Sequence, residues 1–363
     1  MKPEEKIVDF IGSSSFENLS AGAIETVRNM LRADLATIIA GAYSDGVAEL
    51  AGHCRKQGGA SEASILVLGD KVPAENAAMV NAVMSRALDF CDAIAPGPHI
   101  GSSIIPVALA CAELRGGCDG REFVTALAIG AEIAARFNLT EQAYDGFDPT
   151  GVCVPFGAVA VACRLLRLNR EQTWNALGIA FNRCGGSFQS NIDGTLSVRV
   201  NQGWVAHDAI RSARFALMGI TGPQNFIDGI YGYLHLFAKD LLAAEAIVGG
   251  LGVEDRSQQM VYKKYPSCGA TQALTEVLLG LLEDNGLSGD AVDTVSLTLN
   301  PYGFKLVGHE FSIGDNPSVD GQFSAQYCVA NVLLRGSSSI RHFTAEAVCD
   351  PAIKPWIAKV SVA

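Results

Sequence analysis

The segment Ala87-Leu-Asp-Phe-Cys-Asp-Ala-Ile-Ala-Pro-Gly-Pro-His-Ile-Gly-Ser-Ser-Ile-Ile-Pro106 is a polar island in an apolar chain. Just upstream, Ala77, Val80, Met84, Ala87 and Leu88 recur at helical spacing, so the island opens at a helix C-terminus. Asp89 and Asp92 fall near that end, where the helix macrodipole disfavours carboxylates. A new helix is expected from Ser102 or Ser103, and His99 stands just before its positive end, which favours a neutral imidazole. A neutral histidine facing anions is suited to general-base work. The alternative is that the two aspartates cap loop amides and His99 packs in the loop.

Outward from the island, the chain to about residue 245 keeps a helical apolar period. Ile24, Val27, Leu31, Leu35 and Ile38 form one stripe. Asp119 with Glu122, and Asn169 with Gln172, are start signals for two further helices. A helix over Gly203 to Met218 is predicted to end at Gly219, before Thr221-Gly-Pro. Beyond Gly249 to Gly252 the texture changes. Val295, Leu297 and Leu299 alternate with polar residues as in a half-buried strand, with helical patterns at 270–284 and 322–334 around it. Residues 358–363 also read as a strand, on which the chain stops. The expectation is a mainly α protein, a large all-helical domain over 1–250 joined to a smaller α+β domain over 251–363.

Composition narrows the function classes. Hydrophobic residues make up 49% of the 363 and charged residues 18%, too apolar for a disordered or fibrous chain. Lys and Arg number 27 against 38 Asp and Glu, a net charge of −11 that argues against nucleic acid or an anionic membrane surface as partner. No apolar run spans a bilayer, and the N-terminus resembles neither a secretory signal nor a transit peptide, so a cytoplasmic protein is expected. The ten cysteines lack C-x-x-C spacing and sit among aliphatic residues, as reduced buried thiols do. Phosphate-loop, G-x-G-x-x-G, H-E-x-x-H and G-x-S-x-G motifs are missing.

Asp89-Phe-x-Asp, followed by His99-x-Gly-Ser-Ser-x-x-Pro, resembles the central motif of the MmgE/PrpD family. That family includes 2-methylcitrate dehydratases, cis-aconitate decarboxylases and iminodisuccinate epimerases. Four more segments resemble it in order: Gly146-Phe-Asp-Pro-Thr-Gly with Phe156-Gly-Ala; Gly219-Ile-Thr-Gly-Pro; Tyr262-Lys-Lys-Tyr-Pro-Ser-Cys; and Gln322-Phe-Ser-Ala-Gln-Tyr-Cys-Val-Ala. The resemblance implies the two domains read above, an active site in the cleft between them, a homodimer, and no metal or organic cofactor. Relatives continue past 358–363, so the resemblance also implies a chain short at its C-terminus.

Family chemistry removes a proton next to a carboxylate of a small di- or tricarboxylic acid, so the implied partner is a small anionic carboxylate. By motif position His99 is implied as the proton-transfer residue, Asp89 as its orienter or the second acid–base group, and Lys263 as a carboxylate or enolate contact. Substrate-binding roles extend to Asp92, Ser102, Asp148, Thr150, Arg199, Gln202 and Lys264. Lys263 and Lys264 are adjacent, so on a strand only one enters a cleft. Arg199 suits a bidentate grip on a carboxylate, though a surface salt bridge explains it equally well. Departures accompany these matches. Asp148 replaces a usual His, Val198 a frequent Lys, Gln272 a frequent His, and Cys91 and Ala93 an Asp and a Thr. Dehydration of a 2-methylcitrate-like acid is the first expectation. Epimerisation, decarboxylation, or a non-catalytic binding homologue are the alternatives. His207 and His235 read as structural, and His309 as a loop residue with at most an indirect role.

Overall fold

The computed structural model describes all residues, Met1–Ala363. The chain is mainly α and forms two compact units. The first comprises Met1–Ala87, Cys91–Ser187 and Arg199–Tyr262; the second comprises Leu88–Phe90, Phe188–Val198 and Lys263–Ala363. The second unit thus draws two short pieces from the N-terminal part of the sequence, one of them carrying Asp89.

The first unit is built around the helix Pro149–Leu165, in which every residue from Pro149 to Cys163 is buried. A helix apolar on all sides needs neighbours all round, and Gly101–Leu114, Gly120–Arg136 and Arg170–Phe181 pack against it. One close approach joins Gly157 and Gly130. A Cβ on Gly157 would stand 2.2 Å from the carbonyl oxygen of Gly130, and one on Gly130 2.3 Å from Val161 Cγ2. The start signals act as read. The Asp119 carboxylate accepts the Glu122 N–H, and Asn169 and Gln172 form a reciprocal capping box. The long helix Ser197–Leu217 starts earlier than the Gly203 expected from periodicity.

Two expectations need correction. On the helix Ala21–Gly41 the buried residues are Ala23, Val27, Met30, Asp34, Thr37, Ile38 and Gly41, so Val27 and Ile38 of the expected stripe are buried while Ile24, Leu31 and Leu35 are only half-buried. Leu31 instead borders a surface groove of about 860 Å3, shared with Ile24, Arg28, Arg121 and Arg164. Hydropathy misplaced the face because its centre is polar. The second correction concerns the acids. The helix Ala74–Arg86 ends before both, and Asp92 lies on a two-residue strand, Asp92–Ala93, antiparallel to Val261–Tyr262. From there its carboxylate reaches the N-terminus of the following helix, the electrostatically favourable end.

The second unit is a small α+β body. Strand Val295–Leu297 pairs in parallel with Val360–Val362, with Val295 opposite Val360 and Leu297 opposite Val362. Val295 and Leu297 are half-buried and Ser296 is exposed, the alternation read from sequence. Leu274 and Leu278 of the helix Gln272–Asp284 pack with Val329 and Leu333 of the helix Ala325–Arg335.

Candidate active site

His99 is half-buried at the end of the island loop, one residue before the N-cap of the helix Gly101–Leu114. Its Nδ1 lies 2.7 Å from the backbone carbonyl oxygen of Asp92. A carbonyl only accepts, so Nδ1 carries a proton, and in the neutral form of the ring the lone pair falls on Nε2. The backbone N–H of His99 donates to Thr150 Oγ1 at 3.0 Å, and Ser102 Oγ donates to the His99 carbonyl at 3.3 Å. Cys91 Sγ lies 3.5 Å from Nδ1. The turn is held by Asp92 as well, whose two carboxylate oxygens accept the N–H groups of Ile100 and Gly101 at 3.0 and 2.9 Å. Four of the motif residues are therefore gathered here: His99, Asp92, Ser102 and Thr150. Asp92, Ser102 and Thr150 are fully buried.

In the second unit, the Lys263 ammonium lies 2.7 Å from Asp89 Oδ1 and 3.0 Å from the Asp89 carbonyl oxygen, with the two side chains 2% and 1% exposed. The two contacts share a backbone cause. Asp89 has φ +46°, and its carbonyl and carboxylate both meet the same cation. Aspartate tolerates the left-handed region better than most residues, at a cost of about 1 kcal/mol or more. Lys264 takes the other direction. It is solvent-exposed and paired with Glu276 at 2.8 Å. The expected opposition of the two lysines is what the structure contains, with Lys263 the buried one.

The remaining residues are held by backbone. Asp148 caps the helix Pro149–Leu165 through the Thr150 N–H at 2.9 Å. Burial pushes its carboxyl up, against the lowering influence of a hydrogen bond from Asn201, the nearby Arg86 charge and the Thr150 and Gly151 amides. The departure from His at 148 thus places a cap beside a buried arginine. Arg199 is buried and donates to the Asp45 carbonyl at 3.0 Å, so it is not a surface salt bridge. Gln202 is fully buried and its carbonyl accepts Ser103 Oγ at 3.2 Å. Val198 belongs to the apolar core of the second unit. Gln272 Oε1 accepts the Lys264 and Tyr265 N–H groups at 3.1 and 3.0 Å, pinning the segment that follows Lys263. His207 pairs with Asp208, His235 with Asp240, and exposed His309 with the Lys305 carbonyl.

Sequence reading missed Asp34, which is fully buried with Ser85 Oγ donating to its Oδ1 at 3.0 Å. Its signal was present: an acid seven residues after Val27 and four before Ile38 stands on the buried face of its helix.

The helical unit and the small α+β unit define a class of mainly α, two-part proteins. Comparison makes the class specific: residues 5–243 match the MmgE/PrpD N-terminal domain and residues 265–363 the MmgE/PrpD C-terminal domain, and the chain belongs to the MmgE/PrpD family. It is 22% identical over 309 residues to the cis-aconitate decarboxylase of Mus musculus, covering 80% of this chain and 61% of that protein. It is 24% identical over 308 residues to a cis-aconitate decarboxylase-like protein of Aspergillus oryzae, covering 78% of this chain and 64% of that one. The chain spans about three-fifths of the length of these curated relatives. No helix is long and apolar enough to cross a membrane.

Proposed function

We propose that this protein is a cofactor-independent enzyme that moves a proton at the carbon next to a carboxylate of a small di- or tricarboxylic acid. The observation that carries the reading is the fixed tautomer of His99, with Nδ1–H on the Asp92 carbonyl at 2.7 Å and the basic lone pair on Nε2. In a dehydration, Nε2 takes the proton from the acidic carbon and the C–H electrons pass into an aci-carboxylate. They return to form the double bond as the β-hydroxyl takes the proton from His99 Nε2 and leaves as water. Lys263 stabilises the aci-carboxylate charge, and Asp89 holds the ammonium ready for it. Asp148, Thr150, Arg199, Gln202, Ser102 and Lys264 are proposed to bind or surround the substrate.

A 2-methylcitrate-like acid is the first substrate reading. The curated relatives favour a second, decarboxylation of a cis-aconitate-like acid, in which the electrons of the broken C–CO2 bond shift the double bond and a His99 that starts as imidazolium gives its proton to carbon. A cytoplasmic homodimer completes the proposal, and sedimentation tests the dimer. The deciding experiment is proton NMR in deuterated water with 2-methylcitrate isomers, citrate, cis-aconitate and iminodisuccinate, each beside His99→Ala. Product or carbon-bound deuterium in the wild type alone is expected. Equal turnover in the variant would remove His99 from the chemistry, and ligand-induced stabilisation without any product would favour the non-catalytic homologue.

A further inference from the structure

We propose that Asp34 and Asp92 form a carboxyl pair that shares one proton and serves as the positioning device for His99; this rests on the reading of His99 as the proton-transfer residue. Asp34 and Asp92 are fully buried and converge on Gly101, whose N–H donates to Asp92 Oδ1 at 2.9 Å and on which a Cβ would stand 2.2 Å from Asp34 Oδ2. Two carboxylates in contact in a dry interior cannot both be ionised. Geometry decides which one keeps the proton. Asp92 accepts two backbone N–H groups at a helix N-terminus, which stabilise an anion. Asp34 Oδ1 accepts only the Ser85 hydroxyl, and its Oδ2 meets no donor. The proton therefore sits on Asp34 Oδ2 and is donated to Asp92.

The surroundings are shaped for this contact. A Cβ on residue 101 would stand 2.2 Å from Asp34 Oδ2, so glycine there lets the helix N-terminus and the pair meet. Thr37 Oγ1 donates to the Asp34 carbonyl at 3.0 Å and lies 3.0 Å from Ser85 Oγ, tying the acid to its own helix and to Ala74–Arg86. Tyr262 lies on the strand paired with Asp92–Ala93, and its hydroxyl donates to the Thr26 carbonyl at 3.1 Å. Burial, followed by the Asp92 charge, raises the Asp34 carboxyl well above the ordinary range. Asp92 is the link to His99. Its carbonyl fixes the imidazole tautomer, and its carboxylate fixes the two residues that follow the histidine. Asp34 holds that carboxylate in place.

The test uses the full chain, with histidine ring nitrogens labelled and His99→Gln to assign the signal, beside Asp34→Asn and Asp34→Ala. The wild type is expected to show the Nδ1–H tautomer, and an infrared carbonyl band of a neutral carboxylic acid that Asp34→Asn removes. The asparagine amide can still donate to Asp92, so Asp34→Asn should keep the tautomer and keep kcat within about threefold, whereas Asp34→Ala should mix the tautomers and lower kcat about 10- to 100-fold with little change in KM. No acid band lost in Asp34→Asn, an asparagine variant with a disturbed tautomer, or an unchanged His99 signal in Asp34→Ala overturns the pair. If Asp34→Ala does not fold, the band and the asparagine variant still decide. The spectroscopic arms need no turnover, so a protein silent toward every acid but showing band and tautomer would refute the carboxylic-acid reading and not the pair.

Discussion

Asp89 and Asp34 are both sealed from solvent, yet Asp89 is neutralised by a lysine at 2.7 Å and Asp34 by a proton shared with a second acid. The two solutions have different costs and different uses. A buried ion pair loses several kcal/mol of hydration per ion and depends on its partner being present. The cation it holds rides on a flexible four-carbon stem and can be offered to an incoming carboxylate. A protonated acid keeps a small desolvation cost but offers no charge to a ligand. In the function proposed above, Lys263 with Asp89 engages a substrate anion, and the proposed pair of Asp34 and Asp92 holds a backbone still.

Removing the cation is the most severe way to break the comparison. Lys263→Met keeps most of the volume and leaves Asp89 buried without its counter-charge, so a loss of about 3–5 kcal/mol in urea unfolding is expected, together with loss of turnover. Adding Asp89→Asn should restore much of the stability and none of the activity. A stable but inactive double variant would confirm that the pair serves chemistry; an unstable one would mean that packing dominates.

His99→Gln probes the other side. The glutamine amide can still reach the Asp92 carbonyl, so stability should stay within about 1 kcal/mol, whereas turnover should fall about 10^2- to 10^4-fold. Steady-state kinetics beside urea unfolding gives both numbers.

The proton on Asp34 has a pH signature. Its carboxyl is raised in the folded state, mainly by burial and next by Asp92, so its contribution to stability is whole below the ordinary aspartate range and is lost as pH rises through the folded value. Asp34→Asn lacks this dependence. The stability difference, wild type minus variant, should fall by about 1.4 kcal/mol per pH unit above pH 4, while Glu4 and Glu132, also raised by burial, cancel in the difference. A difference that is flat with pH would mean that Asp34 is ionised in the native state.

Much of this was legible in sequence, and the failures share a cause. Asp119 with Glu122, Asn169 with Gln172, and the alternation at Val295 and Leu297 are local rules, and each element formed where they put it. His99 and Lys263 stood out because their motif context is local too. The reading of Asp92 as an acid at an unfavourable helix end failed because its role depends on a loop returning to the next helix. Asp34 was passed over because hydropathy draws the face toward Leu31 and Leu35 and gives no weight to an acid whose side chain is bonded by Ser85. Long-range pairing of polar groups is what one-dimensional periodicity cannot carry.

Lys264 gives the finest contrast, because it differs from Lys263 by one position along the chain. Its side chain is solvent-exposed beside Glu276, where side-chain entropy and solvent screening leave an ion pair with little net effect. What holds the local backbone is the Lys264 N–H to Gln272 Oε1 bond, which any side chain retains. Lys264→Ala should therefore leave the thermal midpoint unchanged within the error of a scan. Its KM is the informative reading. An unchanged value would restrict anion binding to the buried lysine. A several-fold rise would bring Lys264 into substrate contact, and the division of labour between the two lysines would have to be redrawn.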